Sequence, residues 1–408
     1  MGLQKHFTKA NQKILKIILY ISFVAIISEL PAVGQTNGME NRPIQTAVPF
    51  LSIPPDSRAT GMGNLGAATS PDPNSGYWNP SKYAFIERDF GVSLSYLPWM
   101  RNLGIDDIHL MYFSGFKRIS SRETVSASIY YFTLGEIITR NIEGIKGKIL
   151  NPFEVSIDGT YARQFSRHFS GSVSGRFIYS KFGVTSGSTS QMQGASVAVD
   201  VASYYHTPVN VGENDGNLRF GLNISNIGTK LSYGSDREYF IPTNLRLGSA
   251  LKINLDQYNS IMFATDLDKL LVPTLTDTLE INGTVYGQEN KDNPVPVAMI
   301  KSFYDAPGVL EADGERNVFK EELREVGIAV GTEYWYADQF ALRMGYYYKH
   351  PMKGGQRYFT MGLGLKLNIF SLDISYLVPR SSQDPLGNTV RFSLLLDFQS
   401  ANEEANQD

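Results

Sequence analysis

The chain has 408 residues, 42% hydrophobic, 19% charged and 12% aromatic, with 23 Tyr, 23 Phe, 37 Gly and no Cys. These figures exclude a disordered chain, a disulfide scaffold, Cys-ligated zinc, iron–sulfur clusters and thiol catalysis. A formal charge of −3 gives no basic excess for nucleic acid, and the chain is too polar for a bundle of apolar membrane helices.

Residues 1–34 read as a secretory signal peptide. Lys5, Lys9, Lys13 and Lys16 precede the apolar run from Ile17 to Ser28, and Ala32 and Gly34 stand just before a cut ahead of Gln35. The run is shorter than the roughly 18 apolar residues an anchoring helix needs. Cleavage removes four Lys and Glu29, so the mature charge is about −6 (−3 − 3).

Residues 35–89 carry no long alternation. They are rich in small residues, including Gly61, Gly63 and Gly66, followed by Pro71, Pro73, Trp78, Asn79 and Pro80. The glycines match G-x-G-x-x-G, yet no strand precedes them and no βαβ unit follows, so a dinucleotide is not implied. Small residues permit close backbone packing, which suits a plug or hatch inside a wide barrel.

From residue 90 the pattern has period two. Leu218, Phe220, Leu222 and Ile224 alternate with Arg219, Gly221 and Asn223, and Val390, Phe392, Leu394 and Leu396 alternate with Arg391, Ser393 and Leu395. Fourteen strands are predicted, near 90–99, 107–118, 124–139, 152–165, 169–182, 194–206, 217–227, 243–255, 260–272, 324–337, 340–349, 358–368, 370–378 and 389–399. Even-numbered connections are short, with one longer exception at 207–216, whereas odd-numbered connections are mostly long. Short turns at one rim and long loops at the other are the pattern of an outer-membrane barrel. Hydrocarbon offers backbone groups no hydrogen-bond partner, so a spanning sheet must close on itself. The expected fold is all-β: a 14-stranded antiparallel transmembrane β-barrel over 90–399 with a lumenal hatch over 35–89 and a tail over 400–408. Aromatic residues near strand ends, such as Tyr130, Tyr131, Tyr204, Tyr205, Tyr346 and Tyr347, are expected to divide between interfacial girdles and the lumen.

Residues that carry chemistry are scattered. His109, His168, His206 and His350 fall on separate elements without metal-ligand spacing. Asp266 and Asp268 share a strand face, where carboxylates more often solvate a lumen or rim than perform acid–base work. No G-x-S-x-G elbow is present. No catalytic, metal or cofactor residue is therefore assigned. The long extracellular connection 273–323 stands out. It holds Met299, Phe303 and Tyr304, and then a short helical candidate from Val318 to Leu323 that contains Phe319. Loops of this length commonly carry binding, so these four side chains either pack the loop onto the barrel mouth or, with Trp99 and Met100 of the first outer loop, dock a partner.

The run from Arg58 through Gly61-Met62-Gly63 to Asn79-Pro80-Ser81 resembles the N-terminal hatch of FadL-like outer-membrane proteins. The stretches Trp78 to Phe85, Ser95 to Met100, Asn223 to Gly228, Asp266 to Pro273 and Ser375 to Pro379 resemble one branch of that superfamily, the PorV family of the type IX secretion system. Two departures are Ser81, where FadL-like hatches often have Ala, and the ten residues beyond Phe398. The resemblance implies an integral outer-membrane barrel without enzymatic activity. It also implies binding of cargo C-terminal secretion domains and their passage from a SprA-type translocon to a PorU-type sortase, with PorQ and PorZ as further partners. The alternatives are a FadL-like transporter of hydrophobic small molecules and an outer-membrane lipid-A deacylase.

Overall fold

The computed structural model describes residues 42–399 apart from 101–103, 105, 141–143, 185–190, 235–236, 275–278, 282–283, 287–291, 312, 380–386 and 388. The expected signal peptide 1–34, residues 35–41 and the tail 400–408 lie outside the described residues.

Fourteen antiparallel strands form a closed barrel. They are β1 (Phe90–Pro98), β2 (His109–Ser120), β3 (Glu123–Thr133), β4 (Phe153–Gln164), β5 (Phe169–Val184), β6 (Gln191–Val211) and β7 (Asn214–Gly228), then β8 (Asn244–Asn254), β9 (Asn259–Leu270), β10 (Gly327–Tyr336), β11 (Phe340–Tyr348), β12 (Arg357–Leu367), β13 (Phe370–Pro379) and β14 (Val390–Phe398). Each strand pairs with its neighbours in sequence, and β1 pairs with β14 from Phe90↔Phe398 to Tyr96↔Phe392. Closure satisfies the backbone without an edge, which hydrocarbon would not tolerate. The expected fold class and strand count are borne out.

The period-two pattern sorts the side chains. In β1, Gly91, Ser93, Ser95 and Leu97 are buried inside, while Phe90 and Leu94 face out. Further round the wall Phe113, Ile129, Ile157, Val173 and Phe177 also face out, and Ser114, Ser128, Ser156 and Ser174 face in. Tyr204 is buried at 2% exposure, whereas Tyr205 is 40% exposed, so adjacent tyrosines serve opposite faces. Outward aromatics mark both rims. Phe90 stacks on Phe398 at 5.9 Å beside the short turns, and Tyr346 meets Phe359 at 4.7 Å toward the loops. The short-turn rim is the periplasmic one by the usual asymmetry of such barrels.

Two boundaries differ from the sequence expectation by more than three residues. The third strand ends at Thr133 rather than 139, and Ile137–Arg140 pairs instead with Lys146–Leu150 in a hairpin of its own. Gly135 turns the chain with φ +73°, and the Glu136 N–H donates to Asp107 at 2.7 Å, so the alternation continues across a break in the ladder. The supposed long connection 207–216 is a two-residue turn at Gly212 and Glu213, because β6 and β7 stay paired out to Val211↔Asn214.

The N-terminal segment from residue 42 to 89 lies within the cylinder. It includes α1 (Ser57–Gly61), α2 (Ser75–Trp78) and a 3₁₀ turn at Pro80–Phe85. Ser114 of β2 donates to Pro73 O at 2.8 Å, Ser170 of β5 to Ser81 O at 2.7 Å and Asn223 of β7 to Trp78 O at 3.0 Å. On the far side, Arg391 of β14 donates to Pro54 O at 2.8 Å. Contacts to inward faces all round a closed sheet require an interior position. The approach is close at Gly63, which has φ +81° and where a Cβ would stand 2.7 Å from the Tyr346 nitrogen.

Candidate functional site

Buried charges hold the segment to the wall. Arg58 on α1 makes a bidentate pair with Glu333 of β10, Nε and Nη2 each 2.9 Å from a carboxylate oxygen. Its Nη1 donates to Asp72 at 2.8 Å. Glu333 also accepts from Arg343 Nε at 2.8 Å, and Arg343 reaches Asp373 at 2.6 Å. Together they form a continuous lumenal chain of charge-assisted hydrogen bonds. α1 itself starts because Asp56 caps it, accepting from the Ala59 N–H at 2.9 Å and from the Trp78 indole.

The sequence-expected hatch residues sit along this arrangement. Gly61 lies against Gly362 of β12, and a Cβ on it would stand 3.0 Å from the Gly362 Cα. The Gly66 and Ala67 N–H groups donate to Asp266 of β9 at 2.8 and 2.9 Å. Asn79 donates to Ala67 O and to Ser203 O, while its own Oδ1 accepts from the Ser81 N–H and caps the turn that Pro80 begins. Asp266, read from sequence as a lumenal carboxylate, thus binds backbone. Asp268 accepts from the Tyr347 hydroxyl at 3.1 Å.

A second cluster lies at the loop rim. The connection after β9 contains α3 (Val295–Lys301) and α4 (Val318–Arg324). Asn317 caps α4 by accepting from the Lys320 N–H at 2.9 Å. The helix is oriented against the usual rule. Glu321 and Glu322 are buried, whereas Phe319 is 77% exposed and Leu323, one turn on, 61% exposed. The carboxylates are held by three cations. Arg42 and Lys353 meet Glu321 at 3.0 and 2.8 Å, Lys353 meets Glu325 at 2.8 Å, and Lys269 meets Glu322 at 2.9 Å and Glu325 at 2.6 Å. This clasp joins α4 to the end of β9, to the loop before β12 and to the start of the N-terminal segment. Phe303 lies over Lys269, with the ammonium 5.7 Å from the ring centre, and Ile300 and Tyr304 are exposed nearby in sequence.

The sequence-expected docking residues therefore divide. Phe303 and Phe319 flank the clasp and are open, Tyr304 is open, and Met299 is half-buried in α3. Trp99 and Met100 are half-buried elsewhere, against the apolar cluster of Val48, Phe50, Leu97 and Phe132, with Trp99 edge-on to Phe132 at 6.0 Å. Sequence reasoning placed Arg58 at the head of the hatch run without its ionic role, and it missed Glu333 and the clasp carboxylates. The one available signal was Glu321-Glu322 beside Phe319 in a short amphipathic helix.

Three cations meet Glu321, Glu322 and Glu325, and Asp305 lies within the field of the last two. Burial and the charges of Glu322 and Glu325 push the Asp305 carboxyl up to about 7. Burial and Glu325 also raise Glu322, against the pull of Lys269. Burial opposes charge on Glu325 as well, but Lys353 and Lys269 outweigh it and hold that carboxyl below its ordinary value. A carboxyl raised by folding keeps a proton the unfolded chain has lost, so the Asp305 contribution declines as pH climbs from 3.8 to about 7. The Glu325 contribution has the opposite sign and is lost as pH falls below 4.5. Asp305→Asn can still accept from the Thr274 N–H, which lies 3.4 Å away, and removes the neutral-range decline. Proteolysis of the loop, normalised to the unfolded chain, is expected to be several-fold slower in that variant than in wild type at high pH, with the difference shrinking as pH falls and vanishing below about 3.8. A variant no more resistant than wild type at high pH contradicts this account of Asp305.

The family model for PorV, the type IX secretion system protein, matches residues 36–277, more than half of the chain. The solved Pseudomonas putida toluene transporter TodX aligns at 9% identity over 84% of this chain and 98% of its own, with a TM-score of 0.48. The Ralstonia pickettii toluene transporter TbuX aligns at 10% identity over 84% and 98%, with a TM-score of 0.43. A Pseudomonas aeruginosa FadL homologue aligns at 12% over 85% and 99%, with a TM-score of 0.41. No curated protein matches the sequence. On the strength of the family match, the chain belongs to the PorV family of type IX secretion system proteins.

Proposed function

We propose that this outer-membrane component of the type IX secretion system binds exported cargo at its outer loops. It receives the C-terminal secretion domain from a SprA-type translocon and passes it to a PorU-type sortase, with PorQ- and PorZ-type proteins completing the attachment complex. In this reading residues 1–34 are the export signal and the segment before β1 is a standing plug, so cargo is handled at the surface and the lumen is not its route.

The observation that supports the reading is the orientation of α4. A free-standing loop helix gains by turning its apolar face inward and its carboxylates to water. Here the carboxylates are committed to the clasp, and Phe319 and Leu323 are left outside. An apolar face held open by buried ion pairs suits a protein partner. Phe303, Tyr304 and Met299 extend the surface, and Trp99 and Met100 serve from the first loop. The pinned segment argues against the transporter reading, since a conduit would have to break the Arg58–Glu333 pair. Phe319→Asp combined with Leu323→Asp tests the proposal. Translocon, sortase and cargo should no longer co-purify from native membranes, and full recovery of all three would remove it.

A further inference from the structure

The outward face of β6 shows how the wall meets the bilayer. Tyr179 of β5 pairs with Ala195, and Phe169 pairs with Tyr205. These two aromatic rows are ten residues apart along β6, from 195 to 205, close to the roughly 9–11 residues a tilted strand needs to cross hydrocarbon. Val197, Val199 and Val201 point outward between the rows and are all exposed. They belong to the lipid-facing band, with Val197 toward the loop rim.

At this level the wall has a step. The β6–β7 register shifts between Val199 and Val201, and Asn226 adopts φ +59°. Its N–H donates to Asp200 at 2.7 Å and its side chain to Pro242 O at 2.9 Å, which fixes the kink from inside. β7 then stops at Gly228. Thr229 turns back on β6, its N–H donating to Val197 O at 3.0 Å and its hydroxyl lying 3.0 Å from that of Ser196. The first residues of α3, Val295 and Pro296, overhang the gap. The result is a cleft of about 390 Å³ lined by Val197, Val199, Ile227, Thr229, Val295 and Pro296. No charged side chain lines it, and the Thr229 hydroxyl is already bonded.

We propose that this cleft seats one acyl chain of an outer-leaflet lipid. The occupant follows from the cleft's position and chemistry. The cleft is continuous with the valines that already face hydrocarbon, and nothing in it recognises a charged or hydrogen-bonding group. A chain entering from the bilayer releases no water, so retention rests on packing against the strand face, the end of β7 and the α3 overhang. An empty gap there would forfeit those contacts. The seated chain also supports α3 from below, which links the lipid to the loop.

The test is lipid retention. Wild-type protein, Val199→Trp and Val330→Trp are purified through the same detergent exchange, and bound lipid is measured by mass spectrometry of the intact barrel. Val199→Trp fills the cleft, whereas Val330 is an outward valine of β10, three strands round the wall from β7. Wild type and Val330→Trp are expected to keep about one lipid per barrel, and Val199→Trp at least tenfold less. Should the tryptophan disturb the barrel, Val295→Glu places a charge in the cleft from the loop side and should cause the same loss. Equal retention in all variants, no lipid on wild type, or a stoichiometric protein in place of lipid would each overturn the proposal.

Discussion

Arg58→Met is expected to unseat the N-terminal segment and open the barrel to ions. Arg58 is the one side chain of α1 that joins β10 and Asp72 at once, with two bonds to Glu333, one to Asp72 and further bonds to Ser70. Buried ion pairs add little net stability over a well-packed apolar substitute, but removing one partner strands the other and costs about 3–5 kcal/mol. The methionine cannot bond Asp72 or the Ser70 carbonyl, while Glu333 keeps Arg343. The loss should fall on the segment rather than on the wall, whose ladder is unchanged. In planar bilayers, wild-type protein should stay closed and the variant should show current steps, with new protease cuts between residues 42 and 89. Arg58→Lys should be intermediate, since an ammonium cannot match the bidentate fork. A closed and protease-resistant Arg58→Met barrel contradicts the pinning role.

The second large effect is at the opposite end of the energetic argument. Phe319→Asp should change stability by no more than about 0.5 kcal/mol, because an exposed side chain contributes little to the folded state. Its expected effect on partner binding is about 2–4 kcal/mol if Phe319 anchors the interface, or roughly 30- to 1000-fold in affinity. Leu323→Asp should behave similarly and more weakly. The signature is a normal melting transition and normal membrane insertion, together with loss of the co-purified translocon, sortase or cargo. A variant that melts early would instead mean that Phe319 packs the loop.

The barrel was legible because a lipid-facing wall imposes a repeat of two on every strand. Leu218 to Ile224 and Val390 to Leu396 carry that repeat without reference to the rest of the chain. The break at Gly135 was hidden, because alternation resumes at Ile137 and Thr139 in a hairpin that pairs with itself. The glycines of the hatch were legible as small residues, and their partners were not. Arg58 and Glu333 lie 275 positions apart, and a charged residue facing a wet lumen looks the same in sequence as one that meets an arginine. The orientation of α4 was equally hidden. Phe319 and Leu323 share a face with ordinary helical spacing, and that spacing predicts burial. Only the cations at 42, 269 and 353, drawn from three other segments, turn that face outward.

The measurement closest to the central claim uses the absence of native thiols. The Thr60 and Ser375 hydroxyls are 2.9 Å apart, one on α1 and one on β13. Thr60→Cys with Ser375→Cys therefore introduces the only two cysteines in the chain and can staple the N-terminal segment to the wall by a disulfide. If export proceeds at the outer loops, a strain carrying only the oxidised form should secrete cargo within about twofold of the same strain after reduction. Secretion that stops on oxidation and returns on reduction would mean that the segment must move, and the account of a standing plug with a working rim would be wrong.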